Sequence, residues 1–464
     1  MSGTNLESQF KALRVGYHLE RFPSLATRLD RLRRVKAMLS EHEAAWCEAL
    51  SQDFGYRSAD QSSFADITTT IKAANHALKN LKFWMKAERR TPDLSLRMSG
   101  AKTYVESFPK GVVGIVSPWN FPINLALSPL ISVLAAGNRA FIKPSEITPA
   151  TSALLEKLIA QYFAGDEVSV ACGDVDVAQA FVKLPFDHII YTGGETVAKY
   201  IMRDAAENLV PLTLELGGKS PVIVSSSADL KLTAKRIAFG KYFNAGQICI
   251  APDYLLIAKE RLDAFLIELK TAVENADSSQ GSADSVSIVN DRHRQRLEDL
   301  VAEGEGKGCK VVRFSGLNQS AYQLTVVIDP SNDAAINTGE IFGPVLLIKT
   351  IGDLSEQISY INRSSHPLVI YYFGSSEAEF RRVACETSSG GLVKNDVIFQ
   401  YANDDLPFGG VGGSGMGKYR GEYGFKEFSN SRAIYKSGFM DVSGFVTPPY
   451  SDVFRMVNKL MRKI

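Results

Sequence analysis

A chain of 464 residues with 45% apolar and 22% charged side chains can hold two or three compact domains and has an ordinary globular composition. Its 52 basic and 51 acidic residues leave a formal charge of +1, which gives no electrostatic reason to expect nucleic acid or an anionic membrane as partner. The five cysteines, Cys47, Cys172, Cys249, Cys309 and Cys385, form no C-x-x-C pair, and none has a histidine at zinc-ligand spacing. With no apolar run of leader length at the N-terminus, that pattern predicts a reducing, cytoplasmic setting and no metal centre.

The first 90 residues read as helical. Leu29, Leu32, Val35, Leu39, Trp46 and Leu50 fall near helical spacing, and 61–86 continue in that style until Thr91-Pro92 breaks it. Residues 94–108 alternate as a hairpin would. No charge lies between Lys110 and Arg139, a length that raises the question of a membrane span. Pro118, Pro122 and Pro129, with Asn120 and Asn124, argue instead for a buried strand, a turn and a buried helix. From 112 onward short apolar runs alternate with helical segments: strands are predicted at 112–116, 140–143, 167–171, 187–191 and 211–216. Such repeated βα units predict a doubly wound α/β fold, its parallel sheet covered on both faces. Further strands at 221–225, 254–258, 326–330, 345–350 and 369–373 predict a second α/β domain, with a surface loop at 276–285.

Ligands bind doubly wound sheets beyond the carboxyl ends of the strands, so the residues following each strand carry the interest. Ser117-Pro118-Trp119-Asn120-Phe121-Pro122 would leave the Asn120 amide free to stabilise charge on a carbonyl oxygen; a turn held by two prolines is the plainer alternative. Lys143-Pro144-Ser145-Glu146 offers a lysine and a glutamate to ribose hydroxyls, or simply caps a helix. Thr192-Gly193-Gly194 before a helix would admit a phosphate to the backbone, although it is not a G-x-G-x-x-G. Glu215 ends an apolar strand, where burial raises proton affinity as a general base near neutral pH requires; a salt bridge beside a tight turn would look the same. Cys249, in Phe243-Asn244-Ala245-Gly246-Gln247-Ile248-Cys249, has a thiol suited to attack carbonyl carbon, with no histidine nearby in sequence. Gly412 to Lys418 fits G-x-x-x-x-G-K, but Tyr419 stands where a serine or threonine would bind magnesium and no strand feeds the turn. A nucleotide-hydrolysing loop is therefore not expected.

Taken together and in this order, SPWNFP (117–122), KPSE (143–146), ELGGKSP (215–221), FNAGQIC (243–249), EIFGPVL (340–346) and LPFGG (406–410) resemble the aldehyde dehydrogenase superfamily, from about residue 10 to 435. FNAGQICIAPDYLL and DDLPFGGVGGSGMG are most similar to its class 3 branch and, in style, to the bacterial coniferyl aldehyde dehydrogenases. The resemblance implies a Rossmann-like NAD(P)-binding domain (1–93 and 109–213) and a catalytic domain (214–395). It further implies a small β oligomerisation element (94–108 and 418–440), a return to the cleft (396–417) and a tail (441–464). It implies that Cys249 attacks the aldehyde, that Asn120 and the Cys249 N–H hold the oxyanion, that hydride leaves for a nicotinamide, and that Glu215 activates the water that hydrolyses the thioester. Trp119, Lys143, Ser145, Glu146, Thr192, Gly193, Gly194, Leu216, Gly217, Glu340 and Phe342 would contact the cofactor, and Phe408 would line the nicotinamide end of the substrate pocket. Lys143 and Glu146 correspond to the adenosine ribose and Glu340 to the nicotinamide ribose.

Two positions depart from the family pattern, Gly194 where relatives carry a small polar side chain and Ala198 where they carry glycine; both bear on cofactor binding. Glu146 would repel a 2′-phosphate, so NAD is expected to be preferred and NADP tolerated. A CoA-acylating enzyme is the alternative, but relatives of that kind lack the glutamate at Glu215; a non-catalytic structural protein would not need Cys249, Asn120 and Glu215 together. The class 3 resemblance implies aromatic or medium-to-long aliphatic aldehydes and a homodimer. The basic, amphipathic tail VFRMVNKLMRKI (453–464) is expected to cap the partner subunit rather than touch a membrane.

Overall fold

The computed structural model describes residues 3–279, 284–314, 323–441, 443 and 446–462. In its first sheet, Val168–Val170, Arg139–Lys143, Val112–Val116, His188–Gly193 and Leu212–Leu216 lie side by side in parallel, and the two-residue Gly415–Met416 runs antiparallel at the edge. The chain builds outward from Val112–Val116 in one direction, then crosses back to set His188–Gly193 on the other side. Such a reversal opens a crevice beyond the carboxyl ends of the two central strands. The turn at 117–122 and the diglycine at 193–194 flank it.

The charge-free stretch resolves into the strand Val112–Val116 and the helix Asn124–Ala135, every residue of which is buried. Helices Leu25–Glu41, Glu43–Asp53 and Thr69–Trp84 cover it, packing Leu32, Val35, Leu39, Trp46 and Leu81 with Leu127, Leu130 and Leu134. A helix enclosed on all sides shows no face to water, which accounts for its lack of charge. Among the described residues no helix is long and apolar enough to cross a membrane.

The second sheet has seven strands among the described residues, in the order Lys310–Arg313, Thr325–Ile328, Val345–Thr350, Tyr254–Ile257, Pro221–Val224, Val369–Phe373 and Gly391–Lys394. All are parallel except Lys310–Arg313 at one edge. Helices Leu230–Tyr242 and Leu262–Ser279 bury Ile237, Phe265 and Leu269 against Val222, Leu255 and Phe373. The fold is thus α/β and built on two largely parallel sheets, as the apolar runs predict.

Two local expectations fail. Residues 94–108 are not a hairpin: Leu94–Met98 is a short helix, and the single strand Lys102–Pro109 pairs with Glu88–Arg90 on one side and with Ser429–Lys436 on the other. Alternation reports a half-buried strand but not its partner, and here the partner comes from the far end of the chain. The polar stretch 276–285 starts inside a helix that runs to Ser279, while 280–283 lie outside the described residues. That helix is anchored by Phe265, Leu269 and Val273 and runs into the polar stretch instead of stopping before it. In the tail, Asp452–Met461 is helical, with Val453, Met456, Val457, Leu460 and Met461 exposed.

A buried ion pair fixes the turn beyond the first strand. Arg57 Nη2 donates to Asp66 Oδ2 at 2.7 Å, and both side chains are essentially inaccessible. Asp66 Oδ1 accepts from the N–H groups of Ile123 and Asn124 at 3.2 and 3.0 Å, and Arg57 Nη1 donates to the Asn120 carbonyl at 3.3 Å. The guanidinium also lies over the rings of Phe54 and Phe121. Asp66→Ala is expected to destabilise the protein by about 3–5 kcal/mol in urea unfolding, the scale for removing one partner of a buried pair. Asp66→Asn, which keeps an acceptor for the two amides, should cost less.

Candidate active site

Helix Leu230–Tyr242 stops at Phe243, and the next three residues turn left-handed: Asn244 at φ 49°, Ala245 at 52° and Gly246 at 67°. A single alanine in that region costs about 1 kcal/mol or more, so the surroundings must hold it there. Asn244 Nδ2 donates to the carbonyls of Asn120 and Gln247 at 2.9 and 3.2 Å, and its N–H donates to Gln61 Oε1 at 3.0 Å. Gln247 Nε2 donates to the carbonyls of Asn244 and Ser287, and Gln247 Oε1 accepts from Val289 N–H. A Cβ on Gly246 would sit 2.6 Å from the Gly343 carbonyl oxygen, so only glycine lets this loop meet the one carrying Glu340 and Phe342. The result is a rigid turn that delivers Cys249, with the N–H groups of Cys249 and Ile250 directed at its sulfur.

Asn120 is not free, as the sequence suggested. Its Nδ2 donates to the Gln247 carbonyl at 3.1 Å, and the residue is 3% exposed. The SPWNFP turn lies against the loop that carries the cysteine, and that loop offers a carbonyl that a buried amide must satisfy. A primary amide has a second N–H, so one donor is spent and one is left.

Cys249 and Glu215 open into one cavity of about 830 Å³, its mouth included, together with Thr192, Leu216 and Phe408. Among the described residues neither carboxyl oxygen of Glu215 has a hydrogen-bond partner, and the residue is 3% exposed. Burial raises its pKa well above the ordinary value; Glu427 adds to the rise and Lys418 opposes it. Burial also holds the Cys249 thiol above its usual range, with the Glu340 and Glu215 carboxylates adding to the effect. Glu340 is itself raised to about 8, by burial first and Asp253 second, against the Gly218 N–H, Lys219 and Arg296. The sulfur and the Glu215 carboxyl group therefore share one poorly solvated space, and both carboxylates favour the neutral thiol.

The remaining predicted residues stand along the crevice. Lys143 is buried, its Nζ donating to the Pro144 carbonyl at 2.7 Å and lying 3.6 Å from Glu146. Ser145 spends its hydroxyl locally, accepting from Ile147 N–H. Gly194 starts the helix Glu195–Ala206, and nothing lies within 4 Å of where its Cβ would be, an open helix N-terminus of the kind that receives an anion. Ala198 is buried in the core of the first sheet, so its methyl packs against protein. A Cβ on Gly217 would come within 2.0 Å of Glu340 Oε2, which is how Glu340 reaches the end of the Glu215 strand. Trp119 packs between Phe342 and His293, with ring centroids 5.3 and 4.9 Å away. A lysine–glutamate pair and an open helix N-terminus fit a nicotinamide dinucleotide. Among the described residues no group of His, Cys, Asp and Glu is placed to hold a metal ion.

Sequence reasoning missed the cavity walls. Phe64, Phe121, Phe239, Phe243, Phe399 and Tyr401 line it, yet they come from separate elements with no shared period. It also missed what the glycine-rich return is for. Gly415 pairs opposite Glu215, and a Cβ on Gly409 would lie 2.9 Å from Glu215 Oε1. The glycines let backbone close over the carboxylate, and Lys418 follows them as the opposing cation.

The chain belongs to the aldehyde dehydrogenase family, whose family-wide profile matches residues 16–434. It is 44% identical over 444 residues to a probable coniferyl aldehyde dehydrogenase of Caulobacter vibrioides, covering 93% of this chain and 92% of that protein. It is 45% identical over 429 residues to a coniferyl aldehyde dehydrogenase of Pseudomonas sp., covering 90% and 88%. Among solved structures, the substrate-bound state of Staphylococcus aureus AldH superposes with a TM-score of 0.92 at 35% identity, over 98% of this chain and 99% of that one. The protein is an NAD(P)-dependent enzyme that oxidises an aldehyde to the carboxylic acid.

The buried carboxyl group carries a stability cost that can be measured apart from activity. Unfolding returns Glu215 to its ordinary pKa of 4.5. Below that pH both states hold the proton; above it the unfolded state releases it and the folded state resists, so stability falls as pH rises. Glu215→Gln is expected to raise stability near neutral pH by about 1–3 kcal/mol, and the gain should shrink as the pH of denaturant unfolding approaches 4.5.

Proposed function

We propose that Cys249, Glu215 and Asn120 oxidise flat aromatic aldehydes of the cinnamyl class, coniferyl-type phenols among them, through a thioester on Cys249 Sγ. The observation that carries this reading is that Cys249 and Glu215 open into one cavity walled by aromatic rings. Phe239 stacks on Phe243 at 5.4 Å and 24°, and on Phe399 at 5.2 Å and 11°; such faces suit a planar conjugated ring. Thr69 and Asn124 line the same cavity, but their polar atoms are hydrogen-bonded to one another and to Ala65, Thr70, Ser128 and Tyr401, which leaves the slot apolar.

Cys249 Sγ attacks the carbonyl carbon, and its proton passes to Glu215, which opens into the same cavity, and on to solvent. The oxyanion accepts from the Cys249 N–H and from the Asn120 amide N–H left over after Gln247. A bound dinucleotide supplies the hydride acceptor. Lys143 and Glu146 would hold its adenosine ribose, Thr192, Gly193 and Gly194 its phosphates, and Trp119, Leu216, Gly217, Glu340 and Phe342 its nicotinamide end, with Phe408 beside the reacting carbon. Glu215, unbonded among the described residues, then takes a proton from the water that attacks the thioester, and the acid leaves as the thiol re-forms. The Glu146 carboxylate repels a 2′-phosphate, which favours NAD over NADP. Among the described residues the strand Ser429–Lys436 has one unpaired edge and the terminal helix an exposed apolar face; both support a homodimer.

Cys249→Ala should abolish NADH formation while NAD still binds by calorimetry. Glu215→Gln should give a single-turnover burst of NADH and then stall, without CoA present; unchanged steady turnover in rapid-quench kinetics would overturn the assignment of the base. Because a raised carboxyl pKa leaves less base at low pH, deacylation in the unmodified enzyme should still be speeding up with pH well above 4.5, and this limb should vanish in Glu215→Gln. In a panel of aldehydes, kcat/KM for cinnamaldehyde is expected to exceed that for propanal by about a hundredfold, roughly the transfer free energy of a phenyl ring into an apolar site.

A further inference from the structure

Strand Val369–Phe373 buries Tyr371 completely, and its hydroxyl joins two backbone segments of the cavity wall. It donates to the Ile250 carbonyl at 2.5 Å, one residue beyond Cys249, and accepts from Ile398 N–H at 3.2 Å. The Gln400 side chain donates to the same oxygen, and burial keeps the phenol protonated. A tyrosine has one proton to donate, and here it goes to the backbone next to Cys249.

Ile398 needs such a restraint. It sits at φ 67° and ψ −40°, a strained conformation for a β-branched side chain. That conformation sets the direction of the next residue, Phe399, whose ring lies flat on Phe239, which in turn lies on Phe243 at the start of the Cys249 loop. A closed circuit results, running from Cys249 through Ile250, Tyr371, Ile398, Phe399, Phe239 and Phe243 back to Cys249. Every member except Tyr371 lines the cavity.

We propose that Tyr371 is a positioning residue that sets the aromatic slot beside Cys249, and through it the selectivity for flat ring-bearing aldehydes over small ones. The proposal rests on the reading of Cys249 as nucleophile and of this cavity as the substrate site. Without the hydroxyl, the Ile398 N–H and the Ile250 carbonyl lose a buried partner, Ile398 relaxes, and Phe399 leaves Phe239. A small aldehyde at the sulfur does not reach that wall.

The test measures kcat and KM for cinnamaldehyde and propanal in the unmodified enzyme, Tyr371→Phe, Ile398→Gly and the double variant, with melting temperatures alongside. Tyr371→Phe should lower kcat/KM for cinnamaldehyde about tenfold, mostly through KM, and change that for propanal by less than about twofold. Glycine occupies the left-handed region unaided, so in the Ile398→Gly background the tyrosine change should alter the cinnamaldehyde-to-propanal ratio by less than about twofold. Equal losses for both aldehydes in Tyr371→Phe would overturn the proposal, as would an undiminished tenfold loss in the glycine background. An unmodified enzyme with no preference for cinnamaldehyde would show that the substrate reading itself is wrong, before any variant is compared, and the proposal would fall with it.

Discussion

The turn after the central strand of one sheet and the loop that carries Cys249 from the other are stitched together by a reciprocal pair of hydrogen bonds. Asn244 Nδ2 donates to the Asn120 carbonyl, and Asn120 Nδ2 donates to the Gln247 carbonyl. These bonds hold three consecutive left-handed residues, 244–246, that no local preference would sustain. The Asn120 turn is in turn held by Arg57, which lies between two N-terminal helices, and by Asp66. The position of a sulfur in the second half of the chain thus depends on a buried ion pair near its beginning. Gly246 extends the dependence to the Glu340 loop by meeting Gly343 backbone to backbone.

Around that fixed sulfur the structure withholds what buried acids ordinarily receive. Among the described residues no group donates to either carboxyl oxygen of Glu215, and the Glu340 and Glu215 carboxylates both hold the Cys249 thiol in its neutral form. A fully satisfied carboxylate would be more stable and a poorer base, since each donor that steadies the anion lowers its pKa. Stability lost at this site is therefore coupled to reactivity, and the surrounding cores of both sheets must offset it. The glycine-rich return serves the same end by covering Glu215 with backbone whose hydrogen bonds are already committed, such as Gly415 in its pairing with the Glu215 strand.

Much of the molecule was legible without coordinates. The apolar runs at 112–116, 345–350 and 369–373 are strands within the limits read from sequence, because a parallel strand buried on both faces must be apolar throughout. Cys249 and Glu215 are each ambiguous alone and stand out only through the ordered blocks that resemble the aldehyde dehydrogenase family. Both line one cavity. The tilt of the reading failed where a residue's partner was remote: Asn120 looked free because Gln247 lies 127 positions away.

By itself, the sequence determined which segments are buried, where they end, and the family those ends belong to, since burial and turn chemistry are written in neighbouring residues. Only the tertiary structure decided the strand pairing of Lys102–Pro109 with Ser429–Lys436, the assembly of an aromatic slot from Phe239, Phe243 and Phe399, and the restraint of Ile398 by Tyr371. Each of these joins residues with no common period and no proximity in the chain. Their contact arises when whole elements pack, so it is a property of the assembled sheets and not of any one segment.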